Sequence, residues 1–315
     1  MTTNAAPPLG SRVLIAIVVT LLAWASAFIV IRVAADDFSG GALALGRLLV
    51  GTAALSLFLI GRRWVRPTGR EWLLIVIFGL SWFGVYNVAL NIAEHTLDAG
   101  TTAMIVNIGP LLIALGAGLF LGEGIPRWLA IGAGVAFAGV VLIGIGMGAS
   151  GLGDGVGVAW ALLAALTYAI GVLCQKPVLQ RLPASQVTWM GCAVGAIACL
   201  PFAGELVAQT AIAPPLAVAS VVYLGLVPTA VAFSTWAYAL GRMPAGRLGV
   251  TTYIVPTLVV LLGLTLLGEV PTPLAIVGGV LCLVGVALSR RTTPGDRPDM
   301  RATQPVHGER ESLAE

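Results

Sequence analysis

Apolar residues in this chain come in long blocks broken by short polar links, not at the spacing of an amphipathic surface helix. Ten blocks stand out, at residues 13–32, 41–61, 72–93, 99–121, 128–148, 156–175, 186–207, 216–240, 246–268 and 272–289. A bilayer core of about 30 Å needs about 20 apolar residues per helix. Each block therefore predicts one transmembrane helix, and links as short as 124–127 force neighbouring helices antiparallel. The first block also has the outline of a secretory leader: Arg12, then Leu14–Leu22, then Ala25-Ser26-Ala27. Its apolar run continues through Phe28, Ile29 and Ile31, so it is read as a retained span.

Composition agrees with lipid as the solvent. Hydrophobic residues are 58% of the 315 and charged residues 10%, against roughly 45–50% and 25% in soluble domains. So few charges could not cover a water-soluble globule, and so apolar a chain does not stay disordered. No basic stripe for nucleic acid is present. Cys174, Cys192, Cys199 and Cys282 lie inside apolar blocks without metal-ligand spacing and are read as small packing residues. There is no Walker A or H-E-x-x-H string, so neither a metal nor a cofactor is expected. Gly151-Leu152-Gly153-Asp154 matches the G-x-G-D string of intramembrane aspartyl proteases. That chemistry needs a carboxylate dyad, and no apolar block supplies a second aspartate.

The charges that remain are one-sided. With the N-terminus placed in the cytoplasm, the even-numbered links carry Arg62, Arg63, Arg66, Arg70, Arg127, Lys176, Arg181, Arg242 and Arg247. The odd-numbered links carry Asp36, Asp37, Glu94, Asp98, Asp154, Glu205 and Glu269, with Arg32 as their basic residue. The positive-inside rule then places both termini in the cytoplasm. Residues 1–12 form a short cytoplasmic segment and 290–315 a polar cytoplasmic tail, expected to be disordered.

Shifting the sequence by 146 residues reveals an internal repeat. Between 79 and 142, 17 of 64 positions are identical to 225–288, where about 6 are expected by chance for this composition. Pro110 falls on Pro256, and Leu121-Gly122-Glu123 on Leu267-Gly268-Glu269. A shift of 144 places Trp24 on Tyr168 and Arg32 on Lys176. Each copy, 13–148 and 149–289, holds five spans. Five is odd, so the second copy enters the membrane inverted. The predicted fold is all-α: ten transmembrane helices as two inverted five-helix repeats around a central cavity. Inverted repeats of this kind put a substrate site near the midplane and allow alternating access.

These features resemble the drug/metabolite transporter superfamily in its ten-helix EamA-like branch. The resemblance rests on Trp24-Ala25-Ser26-Ala27-Phe28, on Arg47-Leu48, and on the paired units from Pro110 to Glu123 and from Pro256 to Glu269. A narrower likeness is to YddG-like amino-acid exporters. The resemblance implies a bacterial inner-membrane exporter of small metabolites, amino acids and their relatives foremost, acting as a monomer or a dimer. Nucleotide-sugar or drug carriage on the same fold is the alternative, and a non-transporting scaffold or sensor a further one. The third span has Trp82 where its mate has Pro228, a departure from repeat symmetry.

Candidate lining residues follow from polar groups near span centres. Trp24 and Tyr168 are repeat mates there, and midspan aromatics with polar edges are unusual. Tyr86 and Asn87 in the third span, Asn107 in the fourth, Trp236 in the eighth and Tyr253 in the ninth complete the candidate cavity. Pro110 and Pro256 each remove a helix hydrogen bond near midspan and are candidate hinges. Small residues flank them, Gly100, Ala103 and Ala114 on one side and Gly246, Gly249 and Gly263 on the other. Such a stripe suits a lining or close helix packing equally. Arg47 is the lone basic residue within a span; it is a candidate for binding a substrate carboxylate or bracing a gate, or it snorkels to the surface. Glu123 and Glu269 are expected to serve helix termini. No Asp or Glu falls deep in a span by these boundaries. Proton coupling therefore has no obvious carboxylate, and His95 with Glu94 and Asp98 is the one titratable cluster near the outer face.

Overall fold

A computed structural model describes residues 11–120, 127–148, 152–243 and 245–288. The N-terminal segment, the tail, the link through 149–151 and the Leu121-Gly122-Glu123 unit lie outside the described residues, as does the side chain of Asp154. Every regular element among the described residues is helical.

The chain opens with α1 (Ser11–Ala34) and α2 (Gly40–Leu59). Ser39 caps α2 by accepting the Ala42 N–H. The third block is one long rod: α3 (Gly69–Phe78), a π-helical stretch Gly79–Val85, then α4 (Tyr86–Glu94). Thr68 and Glu71 start it with a reciprocal capping box. The fourth block is broken into α5 (Ala99–Val106), capped by Asp98, and α6 (Gly109–Phe120). Next come α7 (Arg127–Gly148) and α8 (Leu152–Val178). The seventh block holds α9 (Ala184–Ala198), a 3₁₀ turn Leu200–Phe202 and α10 (Ala203–Ile212). The eighth repeats the third: α11 (Pro215–Leu224), a π stretch Gly225–Val231, α12 (Ala232–Leu240). The ninth is broken like the fourth, into α13 (Ala245–Thr251) and α14 (Ile254–Leu262), and α15 (Pro273–Leu288) ends the described bundle.

Six of these rods are long and apolar enough to cross a membrane, and a seventh results if α9 and the helix after its 54° bend form one span. Pro201 at that bend cannot supply the backbone N–H an unbroken helix needs. Three shorter apolar helices lie at Ala130–Ile143, Ile254–Leu267 and Pro273–Gly285. Large apolar side chains such as Leu57, Ile145, Leu166 and Ile197 face outward. Arg47, Asn87, Asn91, Glu94, Thr188 and Gln175 are enclosed. Apolar outside and polar inside is the distribution of a multi-pass membrane protein.

Lipid tails are as apolar as leucine, so helices associate here through close packing. The α7–α15 pair shows how. A Cβ added to Gly139 would lie 2.5 Å from the Gly278 carbonyl oxygen, and one added to Gly278 would lie 2.6 Å from that of Gly139. A Cβ on Gly285 would meet the Gly132 carbonyl oxygen at 2.5 Å. Backbone touches backbone at these positions, which no larger residue permits.

Candidate functional site

An internal cavity of about 50 Å³ lies where α1, α4, α5, α8, α14 and the first π stretch meet. Its walls are Trp24, Phe28, Trp82, Tyr86, Ala103, Val106, Asn107, Tyr168, Thr252 and Val255. Ligand pockets run to roughly 300–1,000 Å³. The site thus has room for about one or two waters at about 30 Å³ each.

Aromatic rings close it. Trp82 stands at the centre, with ring centroids 6.0 Å from Trp24, 5.0 Å from Tyr168, 5.0 Å from Phe233 and 5.9 Å from Trp236. The π stretch places it there. The Tyr86 N–H bonds back five residues to the Ser81 carbonyl, and the extra residue per turn rotates Trp82 inward. Such bulges recur at functional sites. The second π stretch has the same bond from Ala232 to Val227, and its wider turn accommodates Pro228.

The two helix breaks meet at the cavity floor. Pro256 cannot bond the Thr252 carbonyl as a helix interior would. Asn107 Nδ2, at the end of α5, donates to that carbonyl oxygen at 2.8 Å. Non-helical backbone at membrane depth persists only where it is buried in protein or lines a cavity, and here one break's side chain satisfies the other's backbone.

Of the seven lining candidates, Trp24, Tyr86, Asn107 and Tyr168 line the cavity. Asn87 does not. It is fully enclosed, and its Nδ2 donates to the Trp82 and Phe83 carbonyl oxygens of the preceding turn. Trp236 sits behind the wall, 5.0 Å from the Trp24 ring, with Nε1 buried and unpartnered. Tyr253 packs in the apolar cluster beside Ile105 and Cys282, next to the lining Thr252. Pro110 packs on Gly249, whose added Cβ would lie 3.3 Å from its Cβ, so this part of the small-residue stripe serves helix contact. Pro110 and Pro256 each stand just after a break rather than in the wall.

Arg47 is enclosed and does not snorkel. Its Nε donates to Thr229 Oγ1 at 3.1 Å, while Nη1 has no partner. Tyr86, which faces the cavity, is a near electrostatic neighbour. Sequence reasoning passed over Trp82 as a wall residue, because its repeat mate is a proline.

Charge concentrates at the end of the bundle that carries Arg32. Arg32 Nε donates to Glu269 Oε1 at 2.7 Å, and Nη1 to the Glu94 carbonyl oxygen at 2.5 Å. Glu269 Oε2 accepts the Ala99 N–H at 3.1 Å. Glu269 thus serves a helix N-terminus, as expected, but that of α5 rather than the helix following it. Among the described residues no carboxylate lies deep in a span, as expected, but Glu94, the last residue of α4, is fully buried at the end of its rod. His95, in the link beyond, has its pKa lowered by partial burial and then by Arg32, with Asp36 opposing. At the opposite end Lys176 Nζ donates to the Leu240 and Met243 carbonyl oxygens. Arg181 pairs with Glu71 there.

The sequence profile of the EamA-like transporter family matches residues 11–145 and again 155–291. The chain belongs to the EamA-like transporter family, a family of membrane transporters. It is 36% identical over 290 residues to the probable terminal-alkyne amino-acid exporter of Streptantibioticus cattleyicolor, covering 91% of this chain and 96% of that protein. It is 32% identical to the uncharacterized transporter YdfC of Bacillus subtilis, covering 84% and 87%. It is 26% identical to a probable amino-acid metabolite efflux pump of Salmonella typhimurium, covering 85% and 91%. One solved crystal structure, 20% identical, superposes with a TM-score of 0.62 over 89% of this chain and 97% of its own, a likeness of fold.

Proposed function

We propose that this protein exports small, largely apolar, zwitterionic metabolites, amino acids or their relatives, across the inner membrane by alternating access. The observation that carries the reading is the small cavity of aromatic rings and one amide at the crossing of two broken helices. Its walls hold hydrogen-bonding edges and apolar faces and no charge, which suits an amino acid's side chain. Arg47, enclosed behind Tyr86 with Nη1 unpartnered, is the candidate partner for the cargo's carboxylate. The printed names of two relatives, an amino-acid exporter and an amino-acid metabolite efflux pump, support the same class. A nucleotide sugar would call for several cations in the wall, and the lining residues include none.

The ten-span inverted repeat is part of this reading, and reciprocal contacts support it. Gly79 approaches Val194 and the Gly191 carbonyl, while its mate Gly225 approaches Val50 and the Arg47 carbonyl, the positions equivalent under the 146- and 144-residue shifts. Arg32 donates to the Glu94 carbonyl, and its mate Lys176 to that of Leu240, the mate of Glu94. In this reading the Arg32 end is periplasmic, both termini are cytoplasmic, and rocking about the breaks before Pro110 and Pro256 opens the cavity to either side. Proteoliposomes loaded with radiolabelled leucine, phenylalanine, a nucleotide sugar or an organic cation test it. Counterflow of the amino acids supports the reading, and selective flux of the nucleotide sugar overturns it.

A further inference from the structure

Glu94 is the one fully buried acidic side chain among the described residues, and both of its carboxyl oxygens lack a hydrogen-bond partner. An ionised carboxylate in such a place is very costly unless paired. Its neighbouring cation is already engaged: Arg32 holds Glu269 through Nε and the Glu94 backbone carbonyl through Nη1. The remaining charged groups acting on Glu94 are acidic, Glu269 and Asp98. Asp36 follows α1 and His95 follows α4, both exposed. Asp154 stands on α8 just before Gly157, which packs on Thr96 and Leu97. The stretch 155–175 of α8 contains no charge, and the charge that α2 presents to α4, Arg47, lies against Tyr86 at the other end of α4 and is not among the groups acting on Glu94. Among the groups acting on Glu94, one cation thus faces several carboxylates, and an enclosed carboxyl without a partner favours its neutral form.

We propose that Glu94 is a proton-binding site and that its proton is the coupling ion of export. With the O–H bond formed, Glu94 is neutral and Arg32 stays on Glu269. Glu269 in turn holds the Ala99 N–H, so α1, α5 and the link before α15 are tied together, which in this proposal keeps this end shut. When the proton leaves, the carboxylate competes for Arg32, whose Nη1 already touches the same residue's carbonyl. Arg32 then turns from Glu269 to Glu94, the tie to α5 weakens, and this end opens. Reprotonation from the solution outside reverses the exchange. Asn91 and Asn87, each with a buried unpartnered Oδ1, lie at one-turn steps from Glu94 back toward Tyr86 in the cavity wall. A carboxamide does not itself relay a proton, but these two oxygens are acceptors that would hold waters carrying the departing proton inward. Proton entry is thereby exchanged for cargo exit. The inference rests on the transporter reading and adds what drives it.

Two measurements test it. Infrared spectra of the protein in lipid vesicles at neutral pH should show the C=O stretch of a protonated carboxylic acid, lost in Glu94→Gln and shifted in Glu94→Asp. This needs no cargo and is independent of flux. Vesicles containing a pH-sensitive dye are then given a gradient of an equimolar mixture of the common amino acids. Wild-type protein should move protons against cargo, with flux falling about tenfold per pH unit once protonation limits the rate. Glu94→Gln, a mimic of the neutral acid, should leave the Tm unchanged while flux becomes slow and insensitive to pH. Should Glu94→Gln fail to fold, Glu94→Asp with pH-dependent flux restored is the supporting result. Absence of the band, or equal pH-independent flux in wild type and variant, overturns the proton site. The band present with no amino-acid movement at any pH overturns the coupling through the transporter reading and leaves the protonated carboxyl standing.

Discussion

The Cys282 thiol lies 3.3 Å from the Ala136 carbonyl oxygen, and the two residues are 146 positions apart, the same shift that aligns the sequence with itself. A residue can touch its own repeat mate only at or near the axis relating the copies. The α7–α15 contact is therefore the point about which the proposed halves are related, and its glycines set how closely they approach. Gly278→Ala would put a Cβ 2.6 Å from the Gly139 carbonyl oxygen. Overpacking of this kind costs about 1–3 kcal/mol, so Tm in detergent should fall. Gly134, on α7 with Gly139, has open space around it, and Gly134→Ala should leave Tm unchanged or slightly raised. Equal effects at the two sites would remove the close-packing account.

The cross-tie at the cavity floor should matter in a different way. Asn107→Leu keeps volume but removes one of the two donors to the Thr252 carbonyl, leaving the Val255 N–H. Losing one intramolecular hydrogen bond costs about 0.5–1.5 kcal/mol. Stability should drop by that order, and protease sensitivity should rise between α5 and α6 and between α13 and α14 together. Sensitivity rising at the first break alone would mean that the two breaks are not coupled.

Arg47 gives the opposite sign. A buried, incompletely paired charge is a net cost, and apolar replacements of buried ionic groups are often neutral or stabilising. Arg47→Met should hold or raise Tm while removing the preference for free amino acids over their methyl esters, by about tenfold or more. Arg47→Lys should fold too, yet recover the preference only in part, since the ammonium cannot present a planar fork to a carboxylate. Reduced Tm with an intact preference would show Arg47 to be structural.

The helical rods were legible because the length of an apolar block is a local property of the chain. The mate pairs were legible because duplication leaves Pro110 and Pro256, or Trp24 and Tyr168, at constant offsets. What depends on contact was not. Trp82 takes the centre of the aromatic cluster because a π turn rotates it inward, and nothing in its own spacing announces that turn. Asn87 is polar at midspan and so reads as a lining residue, but its amide turns back on its own rod to the Trp82 and Phe83 carbonyls. Glu94 follows an apolar block and is counted in the link after it. Its enclosure depends on neighbours distant in sequence, among them Arg32, which reaches its carbonyl from 62 residues earlier.

Topology can be checked without any transport assay. Cysteines introduced at Thr3 and Ser312 should resist a membrane-impermeant thiol reagent in intact cells and react after permeabilisation. The rule behind this counts Lys and Arg near span ends, and here it rests on nine basic residues in the even-numbered links and five more in the tail. Ready labelling of both sites in intact cells would invert the proposed export direction.

The aromatic wall separates a cavity role from a core role. Trp24 is only partly buried and lines the cavity, while Trp82 is enclosed among Trp24, Phe78, Tyr168, Phe233 and Trp236. Truncating an enclosed aromatic costs about 3–5 kcal/mol, whereas each good ring pair contributes about 0.5–1.5 kcal/mol beyond its buried area. Trp82→Ala should therefore destabilise the protein severely, and its flux should be lost along with its fold. Trp24→Ala should cost less stability and enlarge the closed cavity from about 50 Å³. Bulky cargo then fits better, so the ratio of phenylalanine to alanine flux should rise. Tyr168→Ala, opening the same cavity from the facing helix, should shift that ratio in the same direction. Relative flux and Tm measured on all three variants decide the matter: an unchanged ratio with collapsed stability in both Trp24→Ala and Tyr168→Ala would make the rings plain core and leave the cargo to be recognised elsewhere.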